Sequence, residues 1–248
     1  MTYCLSLHCR EGLAFLSDSR TSAGVDNITI HPKMRVYERR GDRVLCLLSS
    51  GNLSITQTVS ALIERDLERE KQNPQQATLL NQSNLFETVQ YVGERIREVR
   101  HLDAEALRHG GLAFNINIIL GGQIAGQPPE IFQIYPEGNA IHASRESPFL
   151  QIGELKYGKP ILDRGFTYHT PLSEAVKFGL LSLDATAKSN LSVGTPFELF
   201  CYKTDSLEVR HRHKFEENDP YLTMVRERWQ EGLIQLVRDI PGLDVLAS

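Results

Sequence analysis

Residues 2–20 read TYCLSLHCREGLAFLSDSR and predict a β-hairpin at the start of the chain. Two apolar, strand-like runs are separated by Glu11-Gly12, which is typical of a tight turn. Two further runs of the same kind follow, so the predicted strands lie at 3–9, 13–17, 34–38 and 43–49. The N-terminal part of the chain is therefore expected to form a sheet of hairpins.

Four later stretches carry apolar residues at helical spacing and are predicted to be helices. Their apolar residues lie within 55–67, 85–99, 172–183 and 222–237. Asn84-x-x-Glu87 is a capping box before the second helix, and Thr170-Pro171 is a start signal for the third, with Thr170 as the cap. The first two helices are expected to pack together over one face of the sheet.

Strand patterns return between the helices, and the first of them is expected to end at Gly121-Gly122. They lie at 112–120, 130–135, 197–202 and 207–213. This order separates antiparallel hairpins from blocks of helix, which favours a layered α+β architecture over a βαβ nucleotide fold. No linker or repeat divides the chain, so one domain over 1–248 is expected.

The composition is that of an ordinary globular chain, with 248 residues, 41% hydrophobic, and a formal net charge of -4. A nucleic-acid binder usually gathers basic residues on one face, but the basic run at 210–214 is followed at once by Glu216 and Glu217. The N-terminus lacks a secretory-signal pattern, and no stretch approaches the roughly 18 apolar residues of a membrane span. We expect a cytoplasmic protein that binds neither nucleic acid nor membrane.

No metal or cofactor site is predicted. The four cysteines form no Cys-x-x-Cys pair, and His211 and His213 share a strand face with no third ligand in view. Residues 153–160 fit the first seven positions of a P-loop, but Pro160 occupies the eighth, where a hydroxyl residue is needed to hold Mg²⁺.

Thr2 is a candidate catalytic nucleophile, because loss of Met1 makes it an N-terminal threonine with a hydroxyl and a free α-amine. The amine, with an ordinary pKa of about 8, is a base suited to activating the hydroxyl. Such a site also needs a cation near the amine, a carboxylate to position the cation, and a backbone N–H for the oxyanion. Lys33, Asp18 and Gly51 are candidates for these three parts, since each lies near the end of a predicted strand.

Each candidate also has a purely structural interpretation. Asp18 and Arg20 are compatible with a surface ion pair, Lys33 with an exposed strand start, and Gly51 with a helix-entry turn. Their common register behind Thr2 favours a shared site.

The spacing of Thr2, Asp18, Lys33 and Gly51 resembles that of the proteasome-type N-terminal nucleophile hydrolases. The runs MTYCL, SDSRT and SLDAT, at 1–5, 17–21 and 182–186, look most like the Anbu, or ancestral β-subunit, branch. The resemblance implies a four-layer αββα sandwich with the Thr site at one end of the paired sheets. It covers about residues 2–205 and leaves a C-terminal helical extension of the same domain at about 216–248.

By this resemblance, Thr2 is the nucleophile and its amine the general base. Lys33 tunes Thr2, Asp18 anchors Lys33, and the Gly51 N–H supplies the oxyanion hole.

Two later family motifs match less well. The family closes its site with an Asp-x-x-Ser-Gly run, in which Ser192 matches the serine whereas Ser189 stands in place of the acid. The nearest counterpart of a family Gly-Ser-Gly is Gly153-Glu154.

The resemblance implies a threonine peptidase that cleaves peptide or amide bonds once Met1 is removed. Its expected partners are a peptide or protein substrate and further copies of the chain in a ring or helical homo-oligomer, with any ATPase a separate protein. Two alternatives stay open. One is an assembly scaffold with weak or no turnover, suggested by Ser189, and the other is a small-molecule amidase.

Overall fold

The computed structural model describes residues 1–22 and 28–243. Its strands are β1 Tyr3–Cys9, β2 Gly12–Asp18, β3 Arg20–Ser22, β4 Ile28–Ile30, β5 Met34–Arg39, β6 Arg43–Gly51, β7 Ile116–Ile124, β8 Glu130–Ile134, β9 Ala140–His142, β10 Phe149–Gly153, β11 Phe197–Lys203 and β12 His211–Phe215. Its helices are α1 Leu53–Glu70, α2 Leu85–His109, α3 Lys159–Gly165, α4 Leu172–Ser189 and α5 Pro220–Asp239.

Most strands belong to two antiparallel five-stranded sheets. The first sheet has the order β10-β1-β2-β11-β12, and the second has the order β5-β6-β7-β8-β9. The strands β3 and β4 pair separately as a short ribbon. The expectation that the N-terminal hairpins form one sheet is therefore wrong, because β1–β2 lies in the first sheet and β5–β6 in the second.

The alternation of side chains along each strand produces the layers. On β1, Leu5 belongs to the core beneath α3 and α4, whereas Cys4 faces the second sheet. On β6, Leu47 belongs to the core beneath α1 and α2, whereas Cys46 lies between the sheets. Three apolar cores therefore separate four layers, and the αββα sandwich expected from the resemblance is confirmed.

The prediction that Gly121-Gly122 ends a strand is wrong. β7 starts only at Ile116 and runs through both glycines to Ile124. A β-carbon on Gly122 would collide with the backbone of Val44 on β6, and one on Gly121 would meet Ile131 on β8. The glycines are needed because neighbouring strands and side chains approach closely there, so they do not interrupt the strand.

Other element ends also differ from expectation. Thr170 does not cap α4, because its hydroxyl accepts a hydrogen bond from the Thr167 N–H at 3.0 Å and the helix starts at Leu172. The last strand lies at His211–Phe215 rather than 207–213. The short elements β3, β4, β9, β10 and α3 were not predicted.

Helix α5 starts where expected, with Asp219 accepting hydrogen bonds from the N–H groups of Tyr221 and Leu222. Its first turn is anchored by Leu222, which is buried in the core beneath α4. Val225 and Trp229 are partly buried, and the apolar residues from Leu233 onward are exposed. Arg226 reaches back to Asp184 on α4 at 2.5 Å. No helix within 1–22 and 28–243 has the length and apolar character needed to cross a membrane.

Candidate active site

A cavity of about 1040 Å³ opens beside Thr2, between helix α1 and strands β5–β7. Thr2, Lys33 and Gly51 all line it, as does Met1. Its apolar wall is formed by Leu47 and by buried residues of α1 and β7: Val59, Ile63 and Ile118. Three residues that the sequence placed in one site therefore share one cavity.

Asp18, at the end of β2, does not line the cavity; it is a buried carboxylate with no exposed surface, next to Lys33. Its Oδ1 accepts a hydrogen bond from Lys33 Nζ at 2.7 Å and another from the Tyr3 backbone N–H at 2.9 Å. Lys33 Nζ also donates to the Arg20 carbonyl at 2.6 Å. The ammonium group is thus fixed from two sides, and the carboxylate ties it to the residue that follows Thr2.

The electrostatics of this pair act on the chain terminus. Burial raises the pKa of Asp18, and the Lys33 charge together with the Tyr3 N–H opposes that shift. Burial lowers the pKa of the Met1 α-amine from 8.0, the Lys33 charge lowers it further, and Asp18 acts in the opposite direction. A larger fraction of the Met1 amine is therefore neutral near neutral pH than of a free terminal amine, and only a neutral amine accepts a proton.

Gly51 ends β6 and leads into α1 through Asn52, whose side chain accepts a hydrogen bond from the Ser54 N–H at 3.0 Å. Its φ of 115° lies in the region that favours glycine, and a β-carbon there would collide with the Asn115 carbonyl on the neighbouring chain segment. Gly51 thus lines the cavity with backbone and no side chain.

Gly153 and Glu154 press against Thr2 from the first sheet. A β-carbon on Gly153 would collide with the Thr2 carbonyl, and the Glu154 N–H donates to that carbonyl at 2.7 Å. The Glu154 carboxylate accepts a hydrogen bond from Asn190 Nδ2 at 3.2 Å, and Asn190 Oδ1 accepts one from the Ser192 N–H at 3.0 Å. A chain of contacts thus joins Thr2 to the turn after α4.

The two serines of that turn are placed differently. Ser192 is half-buried and joined to Glu154 through Asn190, whereas Ser189 is the exposed last residue of α4. Neither serine lines the cavity that holds Thr2. The structure therefore groups Thr2, Asp18, Lys33 and Gly51 and leaves Ser189 apart from them.

Some cavity residues were missed by sequence reasoning, among them His31, Arg35 and Asn117. The only signal that pointed to Arg35 is its spacing of two from Lys33, which places neighbouring strand residues on one face. Asn117 carries no such signal, because its place depends on how β7 pairs with β6. Within the described ranges, no cluster of three or more His, Cys, Asp or Glu residues is arranged to hold a metal ion.

The arrangement is suited to nucleophilic chemistry on a carbonyl. It combines a hydroxyl, a terminal amine of lowered pKa, a fixed cation and a bare backbone segment around one cavity.

Comparison with known proteins gives a clear result among solved structures. Neither a protein-family model nor a curated protein matches the chain. Anbu (ancestral β-subunit) from Yersinia bercovieri is 42% identical, with a TM-score of 0.90, over 98% of this chain and 99% of its own. Anbu from Hyphomicrobium sp. strain MC1 is 42% identical, with a TM-score of 0.90, over 98% of this chain and 100% of its own. A structure described as the helical assembly of the Anbu complex from Pseudomonas aeruginosa is 40% identical, with a TM-score of 0.91, over 98% of both chains.

Proposed function

Because this chain belongs to the Anbu family of proteasome-type N-terminal nucleophile proteins, we propose that it is a threonine-type hydrolase of peptide or amide bonds. The observation that carries the proposal is the position of Thr2, which lies in a large cavity beside Lys33, itself held by the buried Asp18. A lysine fixed in this way stabilises the neutral form of a neighbouring amine, which is the form that acts as a base.

The reaction starts when Met1 is removed and the Thr2 α-amine becomes free. This amine takes the proton of the Thr2 hydroxyl as the oxygen attacks the carbonyl carbon of the scissile bond. The oxyanion of the tetrahedral intermediate accepts a hydrogen bond from the Gly51 N–H, and the amine then passes its proton to the leaving nitrogen. Water, activated by the same amine, attacks the resulting ester and regenerates Thr2.

Asp18 and the serines have supporting roles in this proposal. Asp18 holds the Lys33 ammonium in place, and Ser192 belongs to the hydrogen-bonded turn that is joined to Thr2 through Glu154. A catalytic role for Ser189 has the weakest support, since this serine is exposed and lies outside the cavity lining.

We further propose that the chain acts on peptides or proteins while assembled with further copies of itself. The Pseudomonas aeruginosa relative is described as a helical assembly. In this chain, the far end of α5 exposes Leu233, Ile234, Leu236 and Val237, a set of apolar residues that a second copy would cover. Unfolding of protein substrates is left to a separate ATPase.

Thr2→Ala is the first test, because it removes the hydroxyl and keeps the α-amine. We expect hydrolysis of fluorogenic peptides to be lost and the thermal unfolding curve to stay within a few degrees of the parent. Thr2→Ser, which keeps a hydroxyl, is the matched control and retains measurable turnover. Intact mass must first show that Met1 is absent from each protein, since a retained methionine blocks the amine. Parent-like hydrolysis by Thr2→Ala rules out Thr2 as the nucleophile.

The second candidate function is an assembly scaffold without turnover, which the exposed Ser189 in place of the family's acid favours. Labelling with an epoxyketone, which reacts with an N-terminal threonine, separates the two. An adduct on Thr2 of the Met-free protein supports the hydrolase. A fully Met-free protein that forms no adduct supports the scaffold.

A further inference from the structure

Arg35 lies at the outer edge of the active-site cavity, on the face of the second sheet that α1 covers. It pairs in register with Leu47 across β5 and β6, so the two side chains point to the same side. Leu47 is 5% exposed, and Val59 and Ile63 on α1 are each 1% exposed. The cavity thus has a dry apolar wall with a guanidinium at its rim.

The cavity lining contains a lysine, Lys33, and an arginine, Arg35, and the two differ in how their positive charge is paired. Lys33 is buried and bonded to the fully buried Asp18 at 2.7 Å, so its charge is already neutralised by a direct partner. Among the described residues, Arg35 has an ion-pair partner only in Glu64, at 3.9 Å, and both of these side chains are about half-exposed. That separation is too long for a hydrogen bond, and Glu64 already accepts one from the Tyr37 hydroxyl at 3.0 Å. The forked donors of Arg35 are therefore available to a ligand.

Glu64, the carboxylate beside Arg35, does not itself line the cavity. Among the residues in 1–22 and 28–243 that line it, the polar ones are neutral or basic: Thr2, Thr21, His31, Ser49, Ser50, Asn52, Thr56, Gln57, Ser60, Asn115 and Asn117, besides Lys33 and Arg35. His31 Nε2 lies 3.4 Å from Gln57 Nε2. The cavity therefore favours an anionic side chain with an apolar stem.

We propose that this cavity selects substrates with a glutamate side chain immediately before the scissile bond, and that Arg35 makes the selection. The glutamate methylenes pack on Leu47, and its carboxylate accepts two parallel hydrogen bonds from the Arg35 guanidinium. This inference rests on the proposed function, because it places the scissile carbonyl at Thr2. Arg35 acts on specificity, and the nucleophile and its proton transfers are unchanged.

The test compares three fluorogenic peptides that differ only in the residue before the cleaved bond, which is Glu, Gln or Lys. In the parent we expect kcat/KM to be about five- to tenfold higher for Glu than for Gln, as one partly exposed bidentate ion pair produces. Arg35→Gln should bring that ratio to about one, and Arg35→Glu should make Lys the preferred residue. A parent ratio near one, or a ratio that survives Arg35→Gln, overturns the proposal.

Arg39→Gln is the matched control for charge. Arg39 lies on the same strand as Arg35 and also has a glutamate partner, Glu70, at 2.7 Å. Unlike Arg35, it does not line the cavity. We expect Arg39→Gln to leave the Glu-to-Gln ratio as in the parent. A ratio that falls equally in both variants shows a general effect of net charge and contradicts a specific role of Arg35.

Binding separates a failure of this inference from a failure of the proposed function. Two acetylated peptides that end in Glu or in Gln mimic the acyl product and need no turnover to bind. Calorimetry on the Met-free Thr2→Ala protein should show tighter binding of the Glu peptide, and this preference should vanish with Arg35→Gln. If no peptide is hydrolysed but this preference is present, the hydrolase proposal fails and the selectivity stands. Equal binding of the two peptides overturns the selectivity.

Discussion

At the scale of single residues, the site depends on one buried carboxylate oxygen with two tasks. Asp18 Oδ1 accepts from Lys33 Nζ and from the Tyr3 N–H, so it sets the position of the cation and of the backbone next to Thr2 together. Asp18 has no exposed surface and Lys33 is 8% exposed. Water therefore cannot replace either partner without opening the site.

The electrostatic coupling of Lys33 to the terminal amine makes a pH prediction. The amine acts as a base only when neutral, so kcat/KM should rise with pH through its pKa. Burial and the Lys33 charge lower the pKa of the Met1 amine, and we expect the Thr2 amine of the processed chain to shift in the same direction. Lys33→Met removes the cation and leaves Asp18 as a lone anion, and both changes favour the protonated amine. We expect the acidic limb of the pH–rate profile to move to higher pH.

The control for this prediction is Lys159→Met, because Lys159 is paired with Asp163 on α3, about half-exposed and outside the cavity. Its acidic limb should coincide with that of the parent. If Lys33→Met is too slow to assay, the amine pKa is read from the pH dependence of its acylation by an activated ester. A limb that stays in place, or one that moves to lower pH, contradicts the role given to Lys33.

At the scale of secondary-structure elements, the junction of β6 and α1 shows how backbone geometry builds the site. Gly51 combines a left-handed φ with close contact to the Asn115 backbone, and Asn52 caps the helix directly after it. Strand and helix meet here without a loop, so the cavity wall carried by α1 is rigidly connected to the proposed oxyanion donor.

Two glycine-to-alanine variants separate the conformational cost from the steric cost. Gly41 has a φ of 77° with nothing within 4 Å of a β-carbon, whereas at Gly51, with φ of 115°, a β-carbon would meet the Asn115 carbonyl. Gly41→Ala should lower the free energy of unfolding by about 1 kcal/mol and Gly51→Ala by about 3 kcal/mol or more. Urea unfolding measures both, and equal losses would show that the close contact at Gly51 does not matter.

The same scale shows which predictions succeed. Both α1 and α2 form where apolar spacing placed them, and Asn84 accepts from the Glu87 N–H at 2.8 Å as the capping box predicts. Local patterns suffice there because helix bonds and caps join residues three or four apart. The Gly121-Gly122 pair led to a wrong prediction of the strand end. Glycine is needed there because neighbouring strands approach closely, and the local sequence carries no sign of that approach.

At the scale of the whole molecule, we expect the mass in solution to be a multiple of the chain's 28.0 kDa. Leu236→Glu places a charge among the exposed apolar residues of α5, where Leu236 is 58% exposed, and should lower the mass measured by light scattering. Leu102→Glu, at a site 63% exposed on α2, is the matched control and should not lower it. A monomeric parent at micromolar concentration contradicts self-association.

The sequence by itself determined the order of the long strands and helices and suggested the proposed chemistry of Thr2, because side-chain periodicity and the reactivity of a terminal amine are local properties. It also placed Asp18 near Thr2, since the β1–β2 hairpin returns the chain to its start. Lys33 precedes β5 of the second sheet, so its contact with Asp18 depends on how the two sheets pack. Only the tertiary structure decided that Arg35 edges the cavity, that Glu154 contacts Thr2 and that Ser189 lies outside. Those outcomes depend on strand pairing and on the packing of α1 over the second sheet, which bring together residues far apart in sequence.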